Sequence, residues 1–174
     1  MVCEPCLLSL QPSPYFQSIP EVSSVYSLFP YDGLIKTLLG QLKFEGVKPL
    51  GKVLNQRLIS PPFEKIDFRI PIPVHKKRRR SRGFNQVDLI FDGYNCNPMV
   101  QRIKNTDALF DQSPEQRRHT VSGAFKLDGN IEGKRIVLLD DICTTGATLS
   151  EVAKLLRSHG ASDVFGFTLA YAAR

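Results

Sequence analysis

Two adjacent carboxylates, Asp140 and Asp141, close an apolar run in RIVLLDDICTTGATLSEVAKLL, residues 135 to 156, and a hydroxyl-rich turn follows them. Like charges held side by side at the mouth of a buried strand cost desolvation and repulsion, so a bound group is expected to offset them. Carboxylates accept hydrogen bonds, which suits the pair to two vicinal hydroxyls or to a magnesium ion. The turn is Cys143, Thr144, Thr145, Gly146, Ala147 and Thr148. Small residues and a glycine there would aim successive backbone N–H groups at one point, at the start of a helix whose dipole favours an anion. The threonines add hydroxyl donors. A phosphate at the turn and a diol at the acids together describe a ribose 5-phosphate.

Other phosphate chemistries fit less well. The chain has no G-x-x-x-x-G-K-[ST] and no G-x-G-x-x-G after a strand, which speaks against ordinary nucleoside triphosphatases and dinucleotide folds. An acid pair could also serve a magnesium-dependent phosphatase, but that chemistry does not call for a threonine-rich turn immediately afterwards. The plainest alternative is that Asp140 caps the loop while the threonines pack and turn. Cys143 reads as a small residue contributing its backbone N–H, since a nucleophilic cysteine needs a partner base. His75 and His119 read as surface histidines.

A second charged feature lies upstream. The net charge is +6, from 23 basic and 17 acidic residues, and the segment KKRRRSR, 76 to 82, is basic at every position but Ser81. Without that segment the basic and acidic residues balance, so the excess reads as one basic loop and a docking point for a polyanion. A solvated loop or a loose nucleic-acid patch is the competing reading. Only Phe84 borders the run, whereas a platform for single-stranded DNA would interleave aromatics with the cations.

Elements must hold these groups in place. VYSLFPY, 25 to 31, reads as a strand that ends near Pro30. Leu34, Ile35, Leu38, Leu39 and Leu42 recur at helical spacing, and Leu50, Val53, Leu54 and Leu58 mark a second helix. FRIPIPV, 68 to 74, reads as a strand leaving the sheet where the basic loop begins, and Phe84, Val87, Ile90 and Phe91 as a helical face. Residues 100 to 123 are polar and irregular, with a short helix expected from Ser113 or Pro114. RIVLLD, 135 to 140, is the clearest buried strand; a helix through Leu149, Val152, Ala153 and Leu156 stops at Gly160, and DVFGFTLAYA, 163 to 172, gives a last strand. Strands alternating with helices imply an α/β fold with a mostly parallel central sheet flanked by helices. In such sheets ligands bind beyond the carboxyl ends of the strands, where the acid pair falls.

With 174 residues and 42% hydrophobic content the chain has the size and make-up of one domain. Residues 1–23 read as a Pro- and Ser-rich tether and 24–174 as the domain. No apolar run of eighteen residues and no secretory signal is visible, so a cytoplasmic protein with no membrane partner is expected. Cys3 and Cys6 form a single C-x-x-C; a structural zinc commonly needs two such pairs, so this is either half of a lost zinc ribbon or a pair without metal. Nothing in the sequence specifies an oligomeric state.

VLLDDICTTGAT resembles the phosphoribosyl pyrophosphate signature of the type I phosphoribosyltransferases, and PVHKKRRRSRGFNQ, LKFEG and TVSGAF are similar to the ComF family within them. The resemblance covers about residues 24 to 174. It implies a phosphoribosyltransferase-like fold with a flexible lid, phosphoribosyl pyrophosphate as ligand, magnesium as cofactor acting indirectly through Asp140 and Asp141, and transfer to an acceptor that the resemblance does not name. Asp140 and Asp141 would bind the ribose 2- and 3-hydroxyls and residues 143 to 148 the 5-phosphate. Lys77, Arg78 and Arg82 would bind pyrophosphate, and Arg117 would act from a lid spanning 102 to 118. Leu109 and Thr120 stand where the family lid has glutamine and asparagine. A second reading, from another functional class, is a competence and DNA-uptake factor that binds single-stranded DNA through the basic loop with little or no catalysis.

Overall fold

The computed structural model describes residues 10–105 and 114–172. Five strands form one sheet in the order β1-β2-β7-β6-β3. They are β1 (Tyr15–Ile19), β2 (Val22–Pro30), β3 (Phe68–Pro71), β6 (Arg135–Cys143) and β7 (Asp163–Tyr171). β2, β7, β6 and β3 run parallel to their neighbours, and β1 joins β2 antiparallel at the edge. A separate antiparallel pair, β4 (Val100–Arg102) and β5 (Phe125–Leu127), stands beside the main sheet.

The central strands are apolar on both faces because helices cover both faces. On one face, α6 (Ala147–Ser158) buries Leu149, Val152, Ala153 and Leu156 against Ile136, Leu138 and Val164. The opposite face carries α1 (Gly33–Gly40), α2 (Pro49–Asn55) and α4 (Gln86–Ile90), packed on Val137, Leu139, Phe167 and Leu169. The expected stripe holds in α1, where Ile35, Leu38 and Leu39 are buried. A π-helical turn, Gln41–Glu45, continues α1. The extra residue in such a turn rotates the downstream residues relative to a regular helix, and such turns frequently fall at functional sites.

Two expectations are corrected. The basic segment is not a loop but a helix, α3 (Lys76–Arg82). Lys and Arg are good helix formers, the His75 side chain accepts the Lys77 N–H at the amino end, and Gly83 at φ 84 ends the helix. Nor does a tether run through to residue 23. From Tyr15 the chain is an edge strand, and Leu10 and Ile19 are already buried. Edge-strand residues with exposed Tyr15 and Phe16 lack the apolar run of a central strand, which hid this one.

β1 also touches the site. Gly146, at φ 74, sits against Ile19, and a Cβ added there would meet Ile19 side-chain atoms at 2.8 Å. The turn therefore needs glycine for both its backbone and its space. Gly146→Ala is expected to lower stability by about 1–3 kcal/mol, read as a lower urea midpoint. Adding Ile19→Ala should recover the part due to overlap and leave the part due to the positive φ. An unchanged midpoint in the single variant would falsify this packing.

Candidate functional site

The acid pair lies within β6 rather than beyond it, because the strand continues through Ile142 to Cys143. Side chains alternate along a strand, and here the alternation reverses across the acids. Ile136 and Leu138 share a cluster with Cys143, while Val137 and Leu139 share the other with Ile142. Both carboxylates are buried, and Asp140 Oδ1 accepts the Asp141 N–H at 2.8 Å. Behind Asp140 in register is Thr168, whose hydroxyl meets Ser27 Oγ at 2.7 Å, so a buried polar row underlies the site.

The two acids ionise differently. Asp141 forms an ion pair with Lys43 from the π-helical turn, with side-chain exposures of 7% and 10%. Burial pushes Asp141 up, but the Lys43 ammonium and the hydrogen bonds from its surroundings outweigh that and hold the carboxyl below its ordinary value. Asp140 goes the other way. Burial first, then the charge of Asp141, push it well above the carboxylate range. Low dielectric with one nearby cation ionises one acid and leaves its neighbour holding a proton.

Guanidinium groups surround the pair. In α3 only Arg78 and Arg82 are partly buried, while Lys76, Lys77, Arg79 and Arg80 are exposed. Spacing i to i+4 puts Arg78 and Arg82 on one face. Arg82 Nη1 donates to Gln86 Oε1, and its guanidinium lies 6.0 Å from the Phe44 ring centroid. Burial and then the charge of Arg78 draw Arg82 below its usual value, with Asp141 opposing. Arg102 in β4 is placed over Phe125 at 5.4 Å and is lowered by burial and by Arg78, with Asp140 opposing. Three guanidinium groups therefore share one region with two carboxylates.

The turn forms the other wall. Asp140, Thr144, Thr145, Gly146 and Thr148 line a hollow of ≈ 30 Å³. The Ala147 N–H donates to Thr145 Oγ1 at 3.4 Å, and Ser150 N–H to the Gly146 carbonyl at 2.8 Å. Helix geometry leaves the first-turn N–H groups of α6 without acceptors inside the helix, facing the hollow's end of the strand. Cys143 lines the hollow but belongs to the strand. It pairs with Tyr171, its carbonyl accepts the Ala172 N–H, and its thiol is buried in the core. Its expected place in the turn is corrected accordingly.

The structure thus brings together Asp140, Asp141, Thr144, Thr145, Gly146, Ala147, Thr148, Arg78 and Arg82. Lys77 sits on the solvent face of α3. Arg117 falls on α5 (Pro114–Val121), the short helix expected there, but its side chain lies outside the described residues. Leu109, Cys3 and Cys6 lie outside them as well. Two residues were not singled out from the sequence. Lys43 carried a signal, for it falls four residues after Leu39 on the apolar stripe, where a lysine needs a buried partner. Arg102 carried none, because β4 is only three residues long.

The chain is similar to several known proteins. A family model described as phosphoribosyl transferase domain matches residues 98–173. The chain is 29% identical to the DNA utilization protein YhgH of Salmonella typhimurium, over 92% of this chain and 74% of that protein. It is 36% identical to competence protein F of Haemophilus influenzae, over 59% of this chain and 49% of that protein. With competence protein ComFC of Streptococcus pneumoniae identity is 32%, over 82% of this chain and 66% of that protein. Among solved structures, a hypoxanthine phosphoribosyltransferase from Staphylococcus aureus matches with a TM-score of 0.34 and 18% identity, over 79% of this chain and 62% of that one. The sheet, the acid pair and the turn are those of a type I phosphoribosyltransferase domain. Within that class the chain belongs to the ComF family.

Two outcomes follow from the charges. Lys43→Met strands a buried carboxylate, so a loss of about 3–5 kcal/mol is expected by urea denaturation, and Asp141→Asn in the same chain should restore part of it. Asp140 titrates higher in the fold than in the unfolded chain, so its contribution is greatest at acid pH and is lost as pH rises through its folded value. Asp140→Asn is therefore expected to melt above the parent protein at neutral pH. The gap should close on acidification, as followed by thermal unfolding across pH.

Proposed function

We propose that the chain binds phosphoribosyl pyrophosphate at the carboxyl end of β6 and transfers its phosphoribosyl group to an acceptor nucleophile. The single observation that supports this most is the juxtaposition of the buried acid pair with the threonine turn on one side and Arg78, Arg82 and Arg102 on the other. Guanidiniums that depress one another by proximity are favoured by a polyanion between them. Ionised Asp141 accepts from one ribose hydroxyl. Asp140 accepts from the second through its carboxyl oxygen, which keeps acceptor capacity even while the group is protonated. The turn takes the 5-phosphate.

In the reaction the bond from the anomeric carbon to the pyrophosphate oxygen breaks, and the pyrophosphate leaves with the electron pair. The acceptor's lone pair forms the new bond to that carbon, and the acceptor's proton passes to solvent. The arginines stabilise charge that grows on the leaving group, and the acids fix the sugar so that the carbon stays in line. Among the described residues no group of three or more His, Cys, Asp or Glu could hold a metal ion. The residues present would fit a magnesium ion held indirectly, through hydroxyls that Asp140 and Asp141 would orient. When bound, such an ion supplies further charge neutralisation for the leaving group.

A second reading, binding of single-stranded DNA, draws on the names of the YhgH and competence relatives and on one local feature. Phe44 is 65% exposed beside Arg82, and the outer face of α3 presents Lys76, Lys77, Arg79 and Arg80. An aromatic face among cations can stack a base. No described helix is long and apolar enough to cross a membrane, and no membrane partner is proposed.

Calorimetry separates these readings. Phosphoribosyl pyrophosphate with magnesium should bind the parent protein, and Asp140→Asn with Asp141→Asn should abolish that binding; retained affinity would sink the assignment. Arg78→Ala with Arg82→Ala should weaken pyrophosphate at least ten-fold and ribose 5-phosphate much less. Charge reversal on the outer face, Arg79→Glu with Arg80→Glu, should leave donor binding intact while removing any affinity for a single-stranded oligonucleotide.

A further inference from the structure

A cavity of ≈ 430 Å³ opens on the helical face of the sheet, away from the acid pair. Its floor is Val137, Leu139 and Phe167 of the sheet. Its rim is Ser60 with Phe63 from the segment after α2, and Tyr94 with Asn95 from the segment after α4. One strongly charged group, Arg69 of β3, lines it. That volume falls within the roughly 300–1,000 Å³ of small-molecule sites, which pair apolar walls with a few placed polar groups.

The walls are held in position independently of any ligand. Phe63 stacks on Phe165 with centroids 4.6 Å apart, and Tyr94 meets Phe91 edge-on at 5.5 Å. Asn55 Nδ2 donates to the carbonyls of Ile90 and Asp92, at 2.8 and 3.0 Å, and so braces the Tyr94 segment. Arg69 is fixed from both sides of its strand. It is paired with Val137 of β6, its N–H donates to Asn97 Oδ1 at 3.1 Å, and its carbonyl accepts the Asn97 N–H at 2.7 Å.

Charge gives the cavity its chemistry. The cations nearest along the same edge are matched, Lys134 with Asp67 and Arg135 with Asp163. Among the described residues no carboxylate forms an ion pair with Arg69. Its influence falls instead on the Tyr94 phenol, which also bonds to Ser60. A half-buried guanidinium beside aromatic rings favours a flat ring carrying an anion, through paired N–H donors on the anion and ring contacts on the face.

We propose that this cavity is a second binding site, for a planar aromatic carboxylate whose ring lies against Tyr94 and Phe63 and whose carboxylate meets Arg69. The site is separate from the phosphoribosyl site. Val137, beside Arg69, precedes Asp140 by three residues, about 10 Å along the strand, and no rim residue lines the turn.

The test uses 2-naphthoate as probe and 2-naphthalenemethanol as its neutral counterpart, with binding followed by amide NMR shifts. Naphthoate is expected to saturate one site and to move the amides of Gly93, Tyr94 and Asn95. Arg69→Met, which keeps the stem, should weaken it at least ten-fold and bring it level with the alcohol. Ser60→Trp on the exposed rim should block both probes without lowering the melting temperature. Three results would overturn the proposal: no saturable naphthoate binding at millimolar concentration, equal binding of acid and alcohol by the parent protein, or naphthoate affinity unchanged in Ser60→Trp.

Discussion

The buried pair of carboxylates at the end of β6 constrains everything around it. Two acids in low dielectric cannot both ionise without nearby cations. The fold answers with one ammonium in direct contact, Lys43, and three guanidiniums at longer range. The result is asymmetric: Asp141 is charged and anchored, and Asp140 is held toward its protonated form. Such an arrangement is poor for stability and good for binding, since a ligand that brings hydroxyl donors and negative charge satisfies acids and guanidiniums together.

That demand reaches into elements with no chemistry of their own. Lys43 arrives at Asp141 because a π-helical turn follows α1, and the turn is anchored by fully buried Leu42. The threonine turn closes because Gly146 tucks against Ile19, so β1 supports the turn that leads into α6. The polar row Ser27–Thr168 sits under Asp140 and is satisfied within itself, the Thr168 hydroxyl donating to the Ala170 carbonyl at 3.0 Å. At the register of Asp140, β6 thus meets a polar partner on its β7 side.

How much the sequence reveals depends on how local each feature is. RIVLLDDICTTGATL carries strand, acids, turn and helix start within one short segment, and the central sheet and α6 were legible for the same reason. Lys43 was not, because its partner lies across the fold and only its place on an apolar stripe hinted at burial. β1 hid because an edge strand with outward Tyr15 and Phe16 has no apolar run. The basic segment showed its charge but not its shape, since helix and loop place the same residues in sequence and differ only in which of them share a face. Cys143 was assigned to the turn because a strand end carries no residue signal of its own, and the hydrogen bonds to β7 extend it.

Helix formation in α3 changes what its charge can do. As a loop, six cations would form one diffuse source, able to follow any polyanion that approached. As a helix they divide. Arg78 and Arg82 turn inward on one face, and the second is tied to Gln86 of α4. Arg79 faces out, 3.9 Å from Asp88, with Lys76, Lys77 and Arg80 beside it in solvent. The inward pair is fixed and partly dehydrated, which favours a compact anion at one position relative to the acids. The outward group is hydrated and screened by salt, which favours contact with a long backbone at many positions. The two readings of this chain therefore need not compete for the same residues: one face of α3 suits a pyrophosphate, and the other suits a strand of nucleic acid lying across the outside of the same helix.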